Sequence, residues 1–192
     1  TKIILRLLPL SSFVVDLLVT FPDIPTALAA VPKVMTLGKA IPSSIEFMDK
    51  PSMLLTEKYL QTKFPYTSEA KAHIIFQYEG NNRDHLADEI ERIGDICMES
   101  GALEVFVADN RTTRDKLWKG RKSVAEAVWA FAPVQLANED VVVPTGSIPD
   151  FMDQLELICR RHSVDYAAYG HLGDGNMHVT LYIEKDTPDW YS

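Results

Sequence analysis

The stretch Tyr169-Gly170-His171-Leu172-Gly173-Asp174-Gly175-Asn176-Met177-His178 sets two histidines astride a Gly-Asp-Gly-Asn turn, and it constrains the fold more than any other part of the chain. Apolar-alternating runs flank it, Asp165 to Tyr169 before and Met177 to Ile183 after, so it reads as a β-hairpin. Asp174-Gly175 suits the two central positions of a type I′ turn, where both residues need φ > 0. That turn places Gly173 opposite Asn176, Leu172 opposite Met177 and His171 opposite His178, with facing Cβ atoms roughly 4.5–5.5 Å apart. Because side chains alternate across a strand, His171, Gly173, Asn176, His178 and Thr180 share one face, and Leu172, Met177, Val179 and Leu181 the other. The apolar set is expected in the core and the polar set in a site, with Gly173 leaving room for a ligand or a second backbone. Two facing imidazoles can share one metal ion. Asp-Gly also has a purely geometric use in a tight turn, and a histidine pair in a strand can be structural; both readings stand at this point.

With 46% hydrophobic and 24% charged residues, a chain of 192 residues has the composition of a soluble globular unit. It should bury on the order of 70% of its unfolded surface. No apolar run approaches the ~18 residues of a membrane span, since even Phe13 to Phe21 contains Asp16. A net charge of −8 leaves no basic stripe for nucleic acid or an anionic membrane, so an anionic substrate needs a local cationic site. Cys97 and Cys159 lie in apolar helical patterns without Cys-x-x-Cys spacing. They read as buried free thiols of a reducing compartment, and a cytoplasmic location is expected. No signal peptide is visible, and neither Gly-x-Gly-x-x-Gly nor a P-loop pattern offers a phosphate cradle.

Along the chain, Lys2 to Leu8 and Ser12 to Thr20 read as strands, and Asp23 caps a helix ending at Gly38 with Pro32 inside it. Ser43 to Met48 follows as a strand and Ser52 to Gln61 as a short helix. His73 to Glu79 is the next strand, Arg83 to Ser100 a helix with apolar residues at 86, 90, 93, 96 and 97, and Leu103 to Ala108 another strand. The first 110 residues thus run strand–helix–strand twice. That is the ferredoxin-like arrangement, an α+β fold in which helices cover one face of an antiparallel sheet. A helix from Thr113 to Phe131, a strand from Asp140 to Val143, a helix from Ile148 to Arg161 and the histidine hairpin make a partial second αβ unit. The chain opens without methionine and stops just after Thr187-Pro188-Asp189, a helix start, so a fragment truncated at both ends is expected.

His171-x-Gly173-Asp174-Gly175-Asn176-x-His178 resembles the signature of the C-terminal domain of FAD-linked oxidases acting on 2-hydroxy acids. That group holds the glycolate oxidase FAD subunit, D-lactate dehydrogenases and D-2-hydroxyglutarate dehydrogenase. Thr1 to Pro9, Leu117 to Lys122 and Glu139 to Pro144 are similar to further stretches of the family in the same order, so the resemblance spans nearly the whole chain. It implies that residues 1–10 are a connecting strand from an FAD-binding domain and that residues 11–192 form the substrate or cap domain, incomplete at its C-terminus. The implied activity is that of a D-2-hydroxy-acid dehydrogenase or oxidase of glycolate or D-lactate type. Hydride passes to FAD bound mainly by the other domain, and the fragment alone is expected to be inactive.

In the same way, His171 and His178 are implied as the catalytic pair and as ligands of a divalent, zinc-like metal. The family's third ligand, a glutamate in a Glu-His-Gly stretch, has no counterpart in this sequence, so weakly held or absent metal is expected. The family's substrate-carboxylate arginine falls on Arg121, three residues after Trp118 on one predicted helix face, and a guanidinium fork matches a carboxylate. Read from charge alone, Lys116, Lys119, Arg121 and Lys122 are a solvated helix face. The resemblance further implies Asn176 and Thr180 as substrate contacts and Glu139 and Asp140 as cofactor-binding residues. Ala125 and Asn138 differ from the polar or cationic residues of dicarboxylate-using relatives, which favours a small monocarboxylate. Glu46 and Asp49 match another family stretch, although alternation alone makes them polar positions around a strand end. His73, His85 and His162 show no ligand spacing. The expected partners are a small 2-hydroxy-acid substrate, the FAD domain of the same protein and an iron–sulfur or electron-transfer subunit. The rival reading is a non-enzymatic ferredoxin-like module that binds a metal or a partner.

Overall fold

The computed structural model describes residues 2–5, 7, 9–65 and 68–183. Its strands are β1 (Phe13–Phe21), β2 (Ser44–Asp49), β3 (Ala72–Gly80), β4 (Glu104–Ala108), β5 (Val134–Val142), β6 (Asp165–His171) and β7 (Asn176–Ile183). Its helices are α1 (Ile24–Leu37), α2 (Lys50–Leu60), α3 (Arg83–Glu99), α4 (Arg111–Lys122), α5 (Val124–Phe131) and α6 (Ile148–His162). All seven strands join one antiparallel sheet in the order β4-β1-β3-β2-β6-β7-β5. The first four strands keep the ferredoxin-like order, and β6, β7 and β5 extend the sheet beyond β2.

Capping chemistry sets the starts of α1 and α3 where the sequence puts them, while α2 begins at Lys50 and α4 at Arg111, each two residues before the expected Ser52 and Thr113. The Asp23 carboxylate accepts from Thr26 N at 2.7 Å, and Asn82 Oδ1 accepts from Asp84 N and His85 N at 3.0 and 3.1 Å. The α+β class and the ferredoxin-like sheet follow the sequence, but the helices do not keep to one face. Leu17, Val19, Phe47, Ile74, Phe76 and Met177 pack beneath α1, α3 and α6. Leu18, Met48, Ile75 and Ala167 face the other way, beneath Met53 of α2, Trp118 of α4 and Val124 and Val128 of α5. The physical reason lies in the central strands: Leu17-Leu18-Val19 and Ile74-Ile75-Phe76 are apolar on both faces and need cover on both.

Three other elements differ from expectation. The helix predicted over Thr113–Phe131 is two helices, because the chain turns at Ser123, whose N–H donates to the carbonyls of Lys119 and Gly120 at 3.1 Å. Strand β5 begins at Val134 rather than Asp140; it is a sheet edge with a bulge between Gln135 and Ala137, which hides its alternation. No strand forms among the described residues of 2–12, where Ile3, Ile4, Leu5, Leu7 and Leu10 are exposed. An apolar run becomes a strand only where a neighbour takes up its N–H and C=O groups. The helix start at Thr187-Pro188-Asp189 lies outside the described residues.

Candidate active site

The hairpin forms, but in a register two residues away from the expected one. His171 stands opposite Asn176, Gly170 opposite Met177 and Tyr169 opposite His178, joined by the four residues Leu172 to Gly175. Of these only Gly175 has a positive φ, 83°, so the type I′ turn with Asp174 at φ > 0 does not occur. Instead Asp174 Oδ1 accepts from Asn176 N at 3.0 Å, and Gly175 N donates to the His171 carbonyl at 3.0 Å. The cause is a second backbone. A Cβ on Gly175 would lie 1.9 Å from the Val143 carbonyl oxygen, whereas one on Gly173 would meet nothing within 4 Å. The close approach expected at Gly173 therefore falls on Gly175, where the end of β5 shapes the loop.

A slip of two residues leaves every side chain on its face. Met177 and Val179 are buried in the core, while His171, Asn176, His178 and Thr180 share the opposite side with Tyr169. The two imidazoles are diagonal neighbours, with ring centroids 5.6 Å apart and planes at 83°. The Tyr169 ring lies 5.0 Å from that of His178, and burial pushes its phenol pKa up, partly offset by Arg121.

Strand β2 and helix α4 complete this face. Glu46 stands directly across the β2–β6 ladder from His171, and its Oε2 is 2.7 Å from His171 Nδ1 and 2.8 Å from Arg121 Nη2. Ser44 Oγ donates to Glu46 Oε1. Arg121 is 8% exposed while Lys116, Lys119 and Lys122 on the same helix are exposed, so Arg121 is not part of the solvated basic face. Its guanidinium carbon lies 5.4 Å from the Tyr169 ring centroid. On the far side, Asp140 of β5 is paired with His178 Nδ1, and Thr180 Oγ1 donates to Asn138 Oδ1 at 2.6 Å.

Four buried polar atoms of this cluster have no aligned hydrogen-bond partner among the described residues: Glu46 Oε2, Arg121 Nε, Arg121 Nη2 and Asn176 Oδ1. The Glu46 contacts are ion pairs by distance, without the N–H directions of hydrogen bonds. Orphaned buried groups are rare because each costs about 1–3 kcal/mol. Here donors and acceptors without partners collect around the same two histidines.

The structure thus brings together His171, His178, Arg121, Asn176 and Thr180. Asp140 joins them through His178, whereas Glu139, opposite Val179, lies on the other side of exposed β5. Ala125 is exposed on α5 and lines a separate shallow depression with Tyr59, Trp129 and Ala130. Sequence reasoning gave too little to Glu46. Its signal was an acid inside the buried run Ile45-Glu46-Phe47-Met48. Asp49, buried at the end of the same strand, caps α2 through Ser52 N at 2.8 Å and accepts from Ala168 N of β6 at 2.7 Å. Burial raises its pKa to about 7 against those hydrogen bonds. His73 is buried beneath the second face with its pKa lowered to about 4 by burial, and plays a packing role. Cys97 and Cys159 are buried free thiols.

Two imidazoles with Nε2 outside the carboxylate pairs fit as two metal ligands. Among the described residues, however, no group of three or more His, Cys, Asp or Glu side chains is placed to hold an ion. No helix among them is long and apolar enough to cross a membrane.

Residues 11–191 match the family model described as FAD linked oxidases, C-terminal domain. The chain is 30% identical over 183 residues to D-lactate dehydrogenase of Anaerostipes hadrus, covering 93% of this chain and 38% of that protein. It is 27% identical over 188 residues to glycolate oxidase subunit GlcD of Escherichia coli (strain K12), covering 98% of this chain and 37% of that protein. Among solved structures, p-cresol methylhydroxylase with substrate bound superposes with a TM-score of 0.62 at 11% identity, over 91% of this chain and 39% of that one. 4-Ethylphenol oxidase from Gulosibacter chungangensis superposes with a TM-score of 0.60 at 13% identity, over 92% and 40%. The chain therefore spans well under half the length of these relatives, and the distant structures show a common fold.

Proposed function

The chain belongs to the FAD-linked oxidases, C-terminal domain family, and from that premise we propose that it is the substrate-binding part of a flavin-dependent enzyme oxidising a small D-2-hydroxy acid of glycolate or D-lactate type. The observation that carries this reading is the inventory of orphaned buried atoms. Arg121 Nε lacks an acceptor and Asn176 Oδ1 lacks a donor among the described residues, while Arg121 Nη2 meets Glu46 Oε2 only at ion-pair distance, without an aligned hydrogen bond. A 2-hydroxy acid supplies both on adjacent carbons, a carboxylate for the guanidinium and a hydroxyl for the oxygens. Nothing in the site favours the non-enzymatic module.

In this proposal Arg121 holds the carboxylate through its planar fork, Asn176 and Thr180 border the hydroxyl side, and the Nε2 atoms of His171 and His178 offer lone pairs to the hydroxyl proton. The hydroxyl proton leaves to an imidazole, the carbon-bound hydrogen leaves as hydride, and the product is the 2-oxo acid. FAD, when bound mainly by a domain outside this chain, supplies the hydride acceptor. Asp140, exposed on β5 beside His178, is assigned to its side of the site, and Glu139 to the opposite face of the same edge strand. A zinc-like ion held by the same two Nε2 atoms would use those lone pairs and would supply Lewis acidity to the hydroxyl in place of direct proton acceptance by the rings. Residues 1–10 are assigned to the connection with the flavin domain, and an iron–sulfur or electron-transfer subunit is the proposed further partner. The buried free thiols support a cytoplasmic setting.

The test is turnover of the full-length parent with glycolate, D-lactate and L-lactate and an artificial electron acceptor. Arg121→Met should lower kcat/KM for D-lactate on the order of 100-fold, the loss of a charge-assisted pair of about 3 kcal/mol. Near-normal turnover by that variant, or no preference for the D-acid, overturns the proposal.

A further inference from the structure

We infer that Glu46 is a positioning residue that holds the Arg121 guanidinium and the His171 imidazole as one unit, fixing His171 with its proton on Nδ1 and its lone pair on Nε2. The inference deepens the hydroxy-acid reading and rests on it for the chemical use of the two groups.

One oxygen serves both partners. Oε2 lies 2.7 Å from His171 Nδ1 and 2.8 Å from Arg121 Nη2, in a residue only 5% exposed. An ionised carboxylate accepts and cannot donate. A bare Nδ1 lone pair 2.7 Å from that buried oxygen would be repelled, so Nδ1 must carry the hydrogen. Three restraints keep Glu46 in place. Its backbone is fixed opposite His171 by the β2–β6 ladder, Ser44 Oγ holds Oε1, and Arg121 arrives from α4 on the other side. His178 receives the same treatment from Asp140, whose side chain is 75% exposed and has no arginine ion pair among the described residues. Among the described residues, Glu46 alone therefore links the group proposed to bind the substrate carboxylate to a group proposed to take its hydroxyl proton. A carboxylate behind an imidazole is the usual means of fixing which ring nitrogen is free.

The consequence is specific to one ring. Without Glu46, His171 should relax to the Nε2–H form while His178 keeps its proton on Nδ1. A general loosening of the site would move both.

The experiment is long-range 1H–15N correlation NMR on the 15N-labelled chain at about pH 8.5, above the ordinary imidazole pKa of about 6.5. The wild-type chain should show both histidines protonated on Nδ1. Glu46→Ala should invert the His171 pattern and leave His178 unchanged, and Glu46→Gln, whose amide oxygen still accepts, should keep the wild-type pattern. A wild-type His171 protonated on Nε2 overturns the inference without any variant. So does a Glu46→Ala spectrum in which His171 stays put or both rings change together. Titration of the wild-type chain with D-lactate, followed at Arg121 Nε–H, tests the substrate reading separately. If the tautomers behave as stated and that signal does not move, the hydroxy-acid reading fails and the role of Glu46 on His171 stands.

Discussion

Two buried carboxylates reach from the sheet to one face of α4, and their surroundings are opposite in character. Asp16 of β1 is fully buried and fully met: Gln77 Nε2 donates to Oδ1 at 2.8 Å, and Arg114 Nε and Trp118 Nε1 donate to Oδ2 at 2.9 Å each. Glu46 of β2 faces Arg121, two helical turns beyond Arg114, with Oε2 and two guanidinium nitrogens lacking aligned partners. The sequence offers the same ingredients in both places, an acid in an apolar strand and an arginine on the helix. What differs is completeness. A buried network with every group satisfied fixes architecture, while one with donors and acceptors left over is arranged for something else to complete it.

If that contrast is right, Asp16→Ala has the largest effect, about 3–5 kcal/mol lost in denaturant unfolding, because Arg114 and Trp118 lose their acceptor. Asp49 comes next. It is hydrogen-bonded like Asp16, but no cation touches it, and its folded pKa of about 7 exceeds the unfolded value. The folded state therefore binds this proton more tightly, and the contribution is complete below about pH 3.9 and lost as pH rises through about 7. Unfolding free energy should fall across that window, with the Asp49 carboxyl 13C signal titrating near 7; an ordinary carboxylate midpoint would contradict the burial argument. Glu46→Gln removes the counter-charge of Arg121 but keeps a side chain that can accept from Ser44, so it should cost less than Asp16→Ala, about 1–3 kcal/mol. Equal costs for Asp16 and Glu46 would erase the distinction. Gly173→Ala should change stability by less than about 0.5 kcal/mol, since its Cβ meets nothing within 4 Å.

The faces of the hairpin and most helix starts were legible in the sequence, because both rest on local chemistry: strand alternation and an acceptor side chain three residues before a free N–H. The hairpin register was not, because the Val143 carbonyl over Gly175 overrides what Asp-Gly prefers on its own. The second helical layer was hidden for a similar reason, as α4 and α5 read as one amphipathic run until Ser123 turns it. His171 and His178 could be singled out by residue type and spacing, whereas Arg121 came only with the family resemblance, since charge alone reads it as part of a solvated helix face. Glu46 could not, since its partners come from α4 and β6, far along the chain.

The ladder between β2 and β6 carries a consequence for how this protein folds. It is only three residue pairs long, Glu46 with His171, Phe47 with Gly170 and Met48 with Tyr169. The hydrogen bond beside it, from Ala168 N to Asp49 Oδ2, joins residues 119 apart in sequence. Closing so long a loop for so few contacts is entropically unfavourable until both flanking sheets exist. The ferredoxin-like half and the three-stranded half should form first and meet last along this seam. Once joined, the seam is covered by both helical layers, with Phe47, Met48, Ala167 and Ala168 buried, so its amides should be among the slower ones to exchange. Glu46 and His171 come together only in that last step, so the site is complete only when the whole sheet is.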